Sequence, residues 1–266
     1  MPKARWFKRR REEERRRKDR DQTKIVEEVF DSQTIAHLEK LVRRGIIREV
    51  KGVISSGKEA RIYWGRDRSH HDVAIKIYMS FTSDFRKSIK KYIIGDPRFE
   101  GIPAGNLRKL IYEWTRKEYR NLQKLKAHKV RVPRPIAFSG NILVMEFLGE
   151  NGYRAPLLAE ALSSLSREEA ANIMVEVVSQ AERIVCDAGL VHGDLSEYNI
   201  MLWQGVPWII DVSQAVPLSH PLALELLERD IRNLTVLCRR ICGGEGGVED
   251  RLYGILECAR REVQDE

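Results

Sequence analysis

The segment LVHGDLSEYNIML, residues 190–202, sets a polar run between two apolar flanks, and in it Asp194 and Asn199 stand five positions apart. Taken alone, Asp194 is also explained as the carboxylate of a His-Gly-Asp turn. A further carboxylate, Asp211, ends the apolar run WIID, where a strand opens into a loop. Carboxylate and amide oxygens are hard ligands that suit Mg²⁺ bound together with substrate phosphates. We therefore predict that Asn199 and Asp211 bind Mg²⁺ and that Asp194 lies beside them as a base.

A lysine and a glutamate occupy positions that the hydrophobic pattern predicts to be buried. Lys76 stands in the strand segment VAIKI, although a strand lysine is also explained as an edge residue that points to water. Glu118 lies on the apolar stripe of a helix predicted over 107–128, between Ile111 and Leu122. An unpaired buried carboxylate is costly. We therefore predict that Lys76 pairs with Glu118 and can also reach a phosphate as a point charge.

The hydrophobic period changes along the chain and predicts an α+β protein with two lobes. Residues 48–54, 59–66 and 72–79 alternate with a period of two, which is typical of an antiparallel meander. After the apolar strand segment NILVMEFLG the chain becomes helix-rich. The predicted segments are a basic arm at 1–20, helices at 21–48 with Asp31 or Ser32 as a cap, a small lobe at 49–148 that includes a flexible loop at 80–106, and a helical lobe at 149–266.

The net charge of +8 is concentrated at the N-terminus. Residues 1–20 hold eleven Lys and Arg against four Asp and Glu, which gives +7. Such an arm is either a solvated tail or a segment that binds a polyanion such as RNA. The sequence has no apolar run long enough to cross a membrane and no apolar signal segment at its start. We therefore expect a cytoplasmic protein without a membrane partner.

Cysteine usage is sparse and shows no metal-binding pattern. The chain contains no Cys-x-x-Cys pair, and no histidine stands at zinc spacing from a cysteine. Cytosolic proteins rarely keep disulfides. We therefore expect all four cysteines to be reduced core thiols; they are Cys186, Cys238, Cys242 and Cys258.

Together these residues resemble the protein-kinase signature set of a strand Lys, a helix Glu, a catalytic loop with Asp and Asn, and a metal-binding Asp. More closely, the chain resembles the RIO kinase family through SSGKEA at 55–60, LVHGDLSEYN at 190–199 and IIDVSQAV at 209–216. The Ser-Gly-Lys-Glu-Ala and Asp-Val-Ser-Gln forms are similar to the Rio-one branch, and the chain length resembles archaeal members. The resemblance implies a two-lobed protein-kinase-like fold without a peptide-binding activation segment.

The resemblance also implies roles for individual residues. Asp194 is the implied catalytic base, and Asn199 and Asp211 are the implied metal ligands. Lys76 would bind the α- and β-phosphates of ATP with Glu118 as its ion-pair partner, and Asp211 would also carry an aspartyl-phosphate. The other implied nucleotide contacts are Ser55, Ser56 and Lys58 over the phosphates, Met145 as gatekeeper, and Glu146 and Leu148 at the hinge. The implied cofactors are ATP and Mg²⁺, with Mn²⁺ as an alternative ion.

The function implied by the resemblance is that of an atypical serine/threonine protein kinase and ATPase that acts in maturation of the small ribosomal subunit. The implied partners are the precursor particle and its rRNA, reached through the basic arm, together with a protein substrate or the kinase itself. Two alternatives stay open. One is a small-molecule phosphotransferase of the aminoglycoside or choline kinase type, which shares an HGDL loop. The other is an RNA-particle assembly factor that uses ATP as a switch without phosphorylating protein.

Overall fold

A computed structural model describes residues 31–79, 89–103, 105–243 and 247–265. The predicted arm at 1–20, and the predicted helical residues before Asp31, lie outside this part of the chain. The two-lobed α+β architecture is confirmed, with a sheet-rich first lobe and a helix-rich second lobe. No helix in the four described ranges is both long enough and apolar enough to span a lipid bilayer.

The first lobe is built on an antiparallel five-stranded sheet with strand order β1-β2-β3-β5-β4. The predicted meander of the first three strands is confirmed by continuous antiparallel pairing. The strands of this sheet are β1 Glu49–Ser56, β2 Ala60–Arg66, β3 Asp72–Tyr78, β4 Pro135–Ser139 and β5 Ile142–Glu146. Strand β3 lies in the middle and is buried along most of its length because both faces of the sheet are covered.

Helix α1, Ser32–Arg43, covers one face of the sheet. It begins at Asp31, whose side chain accepts a hydrogen bond from the Thr34 backbone N–H at 2.7 Å, so Asp31 is the cap. Leu41 is fully buried in a small cluster with the odd-numbered residues of β3. The helix packs closely, because a Cβ at Gly140 would come within 2.3 Å of the His37 ring.

Helix α2, Leu107–Ala127, covers the opposite face and is the long helix that the sequence predicts. It begins at Asn106, whose side chain accepts from the Lys109 backbone N–H. Its buried face is wider than one apolar stripe, because the helix touches both lobes. The buried residues on this face are Ile111, Trp114, Thr115, Lys117, Glu118, Asn121, Leu122 and Leu125.

The segment predicted as a flexible loop, 80–106, differs from that prediction where it is described. Residues 89–93 are helical and Pro97–Phe99 form a 3₁₀ turn. Ile89, Tyr92 and Phe99 are buried in the main hydrophobic core. Two of the residues that suggested a flexible insertion instead mark the limits of these pieces, because Gly95 follows the first and Pro97 begins the second. The rest of the segment, 80–88 and 104, lies outside the described residues.

The second lobe is mainly helical and also contains three pairs of short antiparallel strands. Its helices are α3 Leu158–Ala161, α4 Arg167–Glu182, the π-helix Arg183–Asp187 that continues α4, α5 Ala223–Cys242 and α6 Val248–Asp265. Its strands are β6 Gly149–Glu150, β7 Tyr153–Arg154, β8 Leu190–Val191, β9 Ile200–Trp203, β10 Val206–Ile209 and β11 Val216–Pro217. One continuous core joins α2 to these helices and so spans both lobes.

The prediction that all four cysteines are reduced core thiols is wrong for two of them. Cys186 and Cys258 form a disulfide between the π-helix and α6, with Cα atoms 6.1 Å apart. Sequence spacing could not reveal this pairing, because it depends on how α4 and α6 pack across a separation of 72 residues. Cys238 is a buried thiol outside this disulfide, as expected.

Candidate active site

The catalytic-loop motif lies between β8 and β9, at the surface where the two lobes meet. Its first residues are fixed by β8, which pairs with β11 through Val191 and Val216. His192 is buried, and its Nε2 donates to the Ile210 carbonyl at 3.1 Å while its Nδ1 accepts from the Asp194 backbone N–H at 3.3 Å. These two bonds select the neutral tautomer with the proton on Nε2. The imidazole therefore ties the loop of Asp194 to the strand end that leads into Asp211.

A buried carboxylate from helix α5 supports the same loop. Asp230 accepts hydrogen bonds from the backbone N–H groups of Gly193 at 2.7 Å and Leu195 at 2.8 Å. Burial raises the pKa of Asp230, and the hydrogen bonds from the Leu195 and Gly193 backbone N–H groups act against that rise. Because both bonds flank Asp194 in sequence, Asp230 fixes the backbone from which the Asp194 side chain projects.

Asn199 and Asp211 lie at the same end of the β9–β10 hairpin. The Ile210 backbone N–H donates to the Asn199 carbonyl at 3.0 Å, which places the two residues across from each other. The Asn199 side-chain amide donates to the Asp194 carbonyl at 2.8 Å and to its Oδ2 at 3.1 Å. The structure therefore brings all three polar residues of the two motifs into one cluster.

Lys76 is the centre of a buried charge cluster that crosses the lobes. Its Nζ donates to Glu118 Oε1 at 2.8 Å and to Asp211 Oδ1 at 2.9 Å. The Tyr78 hydroxyl donates to the other oxygen of Glu118. The edge-residue explanation for Lys76 is excluded, because Lys76 is 5 % exposed and Glu118 is 1 % exposed.

Electrostatics within this cluster keep the lysine and Asp211 charged. Burial alone would lower the pKa of Lys76, but Asp211 and then Glu118 raise it well above its usual value. Burial raises the pKa of Glu118, and the nearby Lys76 charge only partly offsets this. Burial also acts to raise the pKa of Asp211, yet Lys76 and the Ser213 hydroxyl bring it down to about 2. Asp211 is therefore an ionised carboxylate at neutral pH.

The loop after Asp211 is held by helix α2. Lys117 Nζ donates to the Ser213 carbonyl at 3.0 Å, and the Asn121 side chain donates to the Val212 and Ala215 carbonyls at 2.9 and 3.1 Å. Lys117 is 1 % exposed. Burial, followed by repulsion from the Arg98 guanidinium, lowers the pKa of Lys117 well below its usual value.

The residues implied at the phosphate loop lie on the rim of the first lobe. Ser55 and Ser56 end strand β1, and Lys58 lies in the turn to β2; all three are exposed. Ser55 pairs with Ile62, and Ile62 pairs with Lys76, so Ser55 lies two strands away in the same row. Two strand spacings correspond to roughly 10 Å. Within the described ranges, no hydrogen bond or ion pair joins these three residues to the cluster of Lys76.

The implied hinge residues lie where the chain leaves the sheet. Met145 pairs with Ala74, two residues before Lys76 on β3. The Glu146 carboxylate accepts a hydrogen bond from the Arg134 backbone N–H at 3.0 Å, so this side chain is turned to the start of β4. The Glu146 backbone lies where the chain leaves the sheet. Leu148 is buried, and its carbonyl accepts from Ala155 at 2.8 Å.

The ligand set of the cluster fits a divalent cation bound together with phosphates. Asn199 uses its amide nitrogen for Asp194, which leaves the side-chain carbonyl oxygen for an ion. Asp211 supplies an ionised carboxylate whose side chain is 47 % exposed. No group of three or more His, Cys, Asp or Glu that could hold a metal alone occurs among the described residues. Two oxygen ligands completed by phosphates and water are typical of Mg²⁺ sites.

Comparison with known proteins agrees with this geometry. A family model of the RIO domain matches residues 61–247. The chain belongs to the RIO kinase family. The resemblance found in the sequence is therefore confirmed, and the matched region contains both the catalytic-loop and metal-loop motifs.

Relatives from different domains of life support the same assignment. The chain is 44 % identical over 236 residues to the RIO-type serine/threonine-protein kinase Rio1 of Haloferax volcanii, covering 89 % of this chain and 78 % of that protein. It is 41 % identical over 218 residues to human serine/threonine-protein kinase RIO1, covering 82 % of this chain but only 38 % of the human protein.

The fold also matches a solved RIO kinase. The Rio2 kinase of Chaetomium thermophilum, crystallised as an ADP/Mg²⁺-phosphoaspartate complex, aligns with a TM-score of 0.63 at 21 % identity. The alignment covers 89 % of this chain and 77 % of that chain. The predicted two-lobed protein-kinase-like fold is thereby confirmed.

Three residues that support the site were missed in the sequence. The burial of Asp230 could have been predicted, because it lies four residues from both Leu226 and Leu234 on the apolar stripe of α5. The burial of Lys117 and Asn121 could not have been predicted from the sequence pattern. Their burial follows from contact of α2 with the second lobe, which a single stripe does not predict.

We expect Lys76 and Glu118 to be strongly coupled in stability. Lys76→Met leaves Glu118 buried without its cation, a loss of roughly 3–5 kcal/mol in the free energy of unfolding if no water enters. Adding Glu118→Gln should recover part of that loss, because a neutral amide no longer needs the cation. A double-mutant cycle by denaturant unfolding measures the coupling.

The exposed pair Lys51 and Glu49, 3.2 Å apart on strand β1, is the matched control. The same substitutions there should give a coupling below about 1 kcal/mol, as is usual for surface pairs. Equal coupling in the two cycles would contradict the view that burial makes the Lys76 pair special.

Lys117 should make stability depend on alkaline pH. The pKa of Lys117 is lowered in the folded protein and is about 10.4 in the unfolded chain. At pH values between these two pKa values, the unfolded chain binds a proton that the folded protein does not. The free energy of unfolding of the wild type, relative to Lys117→Met, should therefore rise as the pH goes from 7 to 10. Denaturant unfolding of both proteins across this range measures the difference.

Lys124→Met, at an exposed position of the same helix, is the control and should give a difference that stays flat with pH. A flat difference for Lys117→Met as well would mean that the buried amine is protonated throughout this range.

Proposed function

We propose that this protein is a Mg²⁺- and ATP-dependent serine/threonine protein kinase with ATPase activity that acts in maturation of the small ribosomal subunit. The observation that carries the proposal is the single cluster formed by Asp194, Asn199, Asp211, Lys76 and Glu118. Membership of a family of serine/threonine kinases supports protein hydroxyls as acceptors. We expect the protein to act in the cytoplasm.

ATP would lie between the lobes, with adenine at the backbone of Glu146 and Leu148 and beside Met145. Lys76 would turn from Asp211 to the α- and β-phosphates, since its ammonium already lies beside the position of the phosphate-bound ion. Ser55, Ser56 and Lys58 would cover the phosphates from the rim with hydroxyl, backbone N–H and ammonium groups.

Asn199 and Asp211 would hold Mg²⁺, or Mn²⁺ as an alternative. The bound ion supplies charge neutralisation on the phosphate oxygens as the terminal phosphoryl group is transferred. The protein supplies the orientation of both ligands, because Asn199 is tied to Asp194 and Asp211 to Lys76 and Ser213.

Asp194 would accept the proton of the acceptor hydroxyl as that oxygen attacks the terminal phosphorus. Its carboxylate is held by the Asn199 amide, and its backbone lies between the two bonds to Asp230. A positioned base of this kind contributes roughly a hundredfold to ten-thousandfold in rate.

A second role is proposed for Asp211. The Rio2 kinase neighbour has been crystallised with phosphoaspartate. In this chain Asp211 is ionised and half exposed, so one carboxylate oxygen could attack the terminal phosphorus of ATP as ADP leaves. Attack of water on the resulting acyl phosphate would then release phosphate and complete ATP hydrolysis.

The phosphoryl-carrier step on Asp211 favours a second candidate function, that of an RNA-particle assembly factor that uses ATP as a switch. A phosphoryl group held on Asp211 would mark an ATP-derived state without needing a protein acceptor. The chain passes from Asp211 through β11 to α5 at Ala223 without an extended docking segment. The small-molecule phosphotransferase alternative is disfavoured by the close Rio1 relatives.

The basic arm is proposed to bind rRNA in the precursor of the small ribosomal subunit. It holds +7 of the net charge of +8, so the charge available for a polyanion belongs mostly to residues 1–20. Binding to phosphates releases counterions and is therefore salt-dependent.

Two substitutions should separate the base from the metal ligand and carrier. Asp194→Asn should lower phosphate transfer to protein by roughly a hundredfold or more while Mg²⁺-dependent ATP binding persists. Asp211→Asn should weaken Mg²⁺-dependent ATP binding and abolish hydroxylamine-sensitive labelling by γ-labelled ATP. The measurements are calorimetric nucleotide titration and a radiolabel transfer assay.

Unchanged transfer in Asp194→Asn would remove Asp194 from the role of base. Absence of hydroxylamine-sensitive label in the wild type would contradict the role of Asp211 as a phosphoryl carrier. Its role as a metal ligand is tested separately by the nucleotide titration.

Deleting residues 1–20 should weaken binding to a fragment of small-subunit rRNA and flatten its salt dependence, with ATP hydrolysis intact. Each RNA phosphate that the truncated protein no longer neutralises should reduce the slope of log K against log salt by about 0.7 to 0.9. Fluorescence anisotropy of labelled RNA at several salt concentrations measures both the affinity and the slope. The same affinity and slope after truncation would show that the arm is only a solvated tail.

A further inference from the structure

An open pocket of about 780 Å³ has Asp194 in its lining. Its wall is formed by residues 90–92 and Ile94, by Gln214 of the metal loop, by Pro221 and Leu222 just before helix α5, and by Arg229 within that helix. None of the residues assigned to adenine or to the phosphate-binding lysine lines it. The pocket therefore includes Asp194 in its lining but not the proposed nucleotide contacts.

The charge of this pocket is strongly one-sided. Lys90, Lys91 and Arg229 line it, and Asp194 is the only acidic residue among the described residues of its lining. Lys90 and Lys91 are exposed, and within the described ranges none of the three cations forms an ion pair with a carboxylate. Three cations facing one base would attract an anionic group and place it close to Asp194.

The cationic wall is attached to the catalytic loop. Arg229 donates to the Gly193 carbonyl, next to Asp194 in sequence, and to the Tyr92 hydroxyl at 3.2 Å. The Tyr92 ring packs on Trp114 of helix α2, with centroids 6.3 Å apart. Residues 90–92 are therefore set at a fixed position relative to the proposed base.

The pocket lining also contains apolar side chains. Ile94, Pro221 and Leu222 line it. Gly95 has φ +87°, and a Cβ there would lie 2.7 Å from the Pro221 ring. A lining that combines apolar and cationic side chains suits a peptide that carries both aliphatic and acidic groups better than a simple inorganic anion.

We propose that this pocket is the acceptor site and that it selects a serine or threonine flanked by acidic residues. The proposal rests on the phosphotransfer function proposed above and specifies its substrate class. The acceptor hydroxyl would meet Asp194, while neighbouring carboxylates would lie against Lys90, Lys91 and Arg229. The segment around residues 89–94 thus takes over the substrate contact that an activation segment provides in other protein kinases.

The test uses the full chain and three peptides of equal length with one central serine, flanked by glutamate, by glutamine or by lysine. Transfer from γ-labelled ATP gives kcat/KM for each peptide, and anisotropy of dye-labelled peptides gives Kd in the presence of ADP and Mg²⁺. We expect the glutamate peptide to exceed the glutamine peptide at least tenfold in both quantities, with the lysine peptide weakest.

The substitutions Lys90→Glu with Lys91→Glu should remove this preference or reverse it. The matched control is Lys109→Glu with Lys124→Glu, which makes the same change of net charge at exposed positions of helix α2, away from the pocket. The control should keep the wild-type order of the peptides. Nucleotide affinity by titration reports that each variant is folded.

The outcomes separate the site from the reaction. Selective binding of the glutamate peptide without any phosphate transfer would keep the pocket and overturn the kinase function. Equal binding of all three peptides, or equal loss of preference in the control variant, would overturn the pocket. Tighter binding of a uridine decanucleotide than of the glutamate peptide, lost on substitution of Lys90 and Lys91, would overturn it in favour of a nucleic acid.

Discussion

The buried ammonium of Lys76 is the contact on which the arrangement of this protein depends. It bonds to Glu118 of helix α2 and to Asp211 of the second lobe, and it comes itself from the central strand of the sheet. Removing a cation from water is costly unless carboxylates surround it. Here two of them do so, and each belongs to a different structural unit. The cost of burying Lys76 is therefore offset only when the sheet, α2 and the metal loop are assembled together.

Helix α2 shares this role through neighbouring positions. Glu118 faces the sheet, whereas Lys117 and Asn121 face the carbonyl groups of the loop after Asp211. A shift of the helix that preserved the ion pair would still break the bonds of Lys117 and Asn121. Helix α2 is therefore joined to the metal loop by hydrogen bonds as well as through the ion pair of Lys76.

Prediction from the sequence succeeded where the hydrophobic periodicity of a single helix or strand is enough to show which residues are buried. Glu118 could be predicted because a carboxylate on an apolar stripe demands a partner, and the meander because alternation fixes strands. Lys117 could not, since its burial requires two surfaces to meet on one helix. The packed residues around Tyr92 were hidden among glycines and prolines, and the Cys186–Cys258 pair depends on tertiary packing alone. The local sequence pattern thus predicted the helices and strands, whereas the features it missed depend on tertiary contacts.

The backbone of Asp211 has a consequence for how this family could change over time. Its φ of +56° lies in the left-handed region, which disfavours most side chains but is tolerated by Asp and Asn. The codons of these two amino acids are neighbours, and an Asn there would keep the backbone geometry while removing the charge. Descent from a working enzyme to a folded but inert paralogue is therefore a short mutational path at this position. Such a paralogue would keep the backbone conformation but would lose one of the two carboxylates that offset the burial of Lys76.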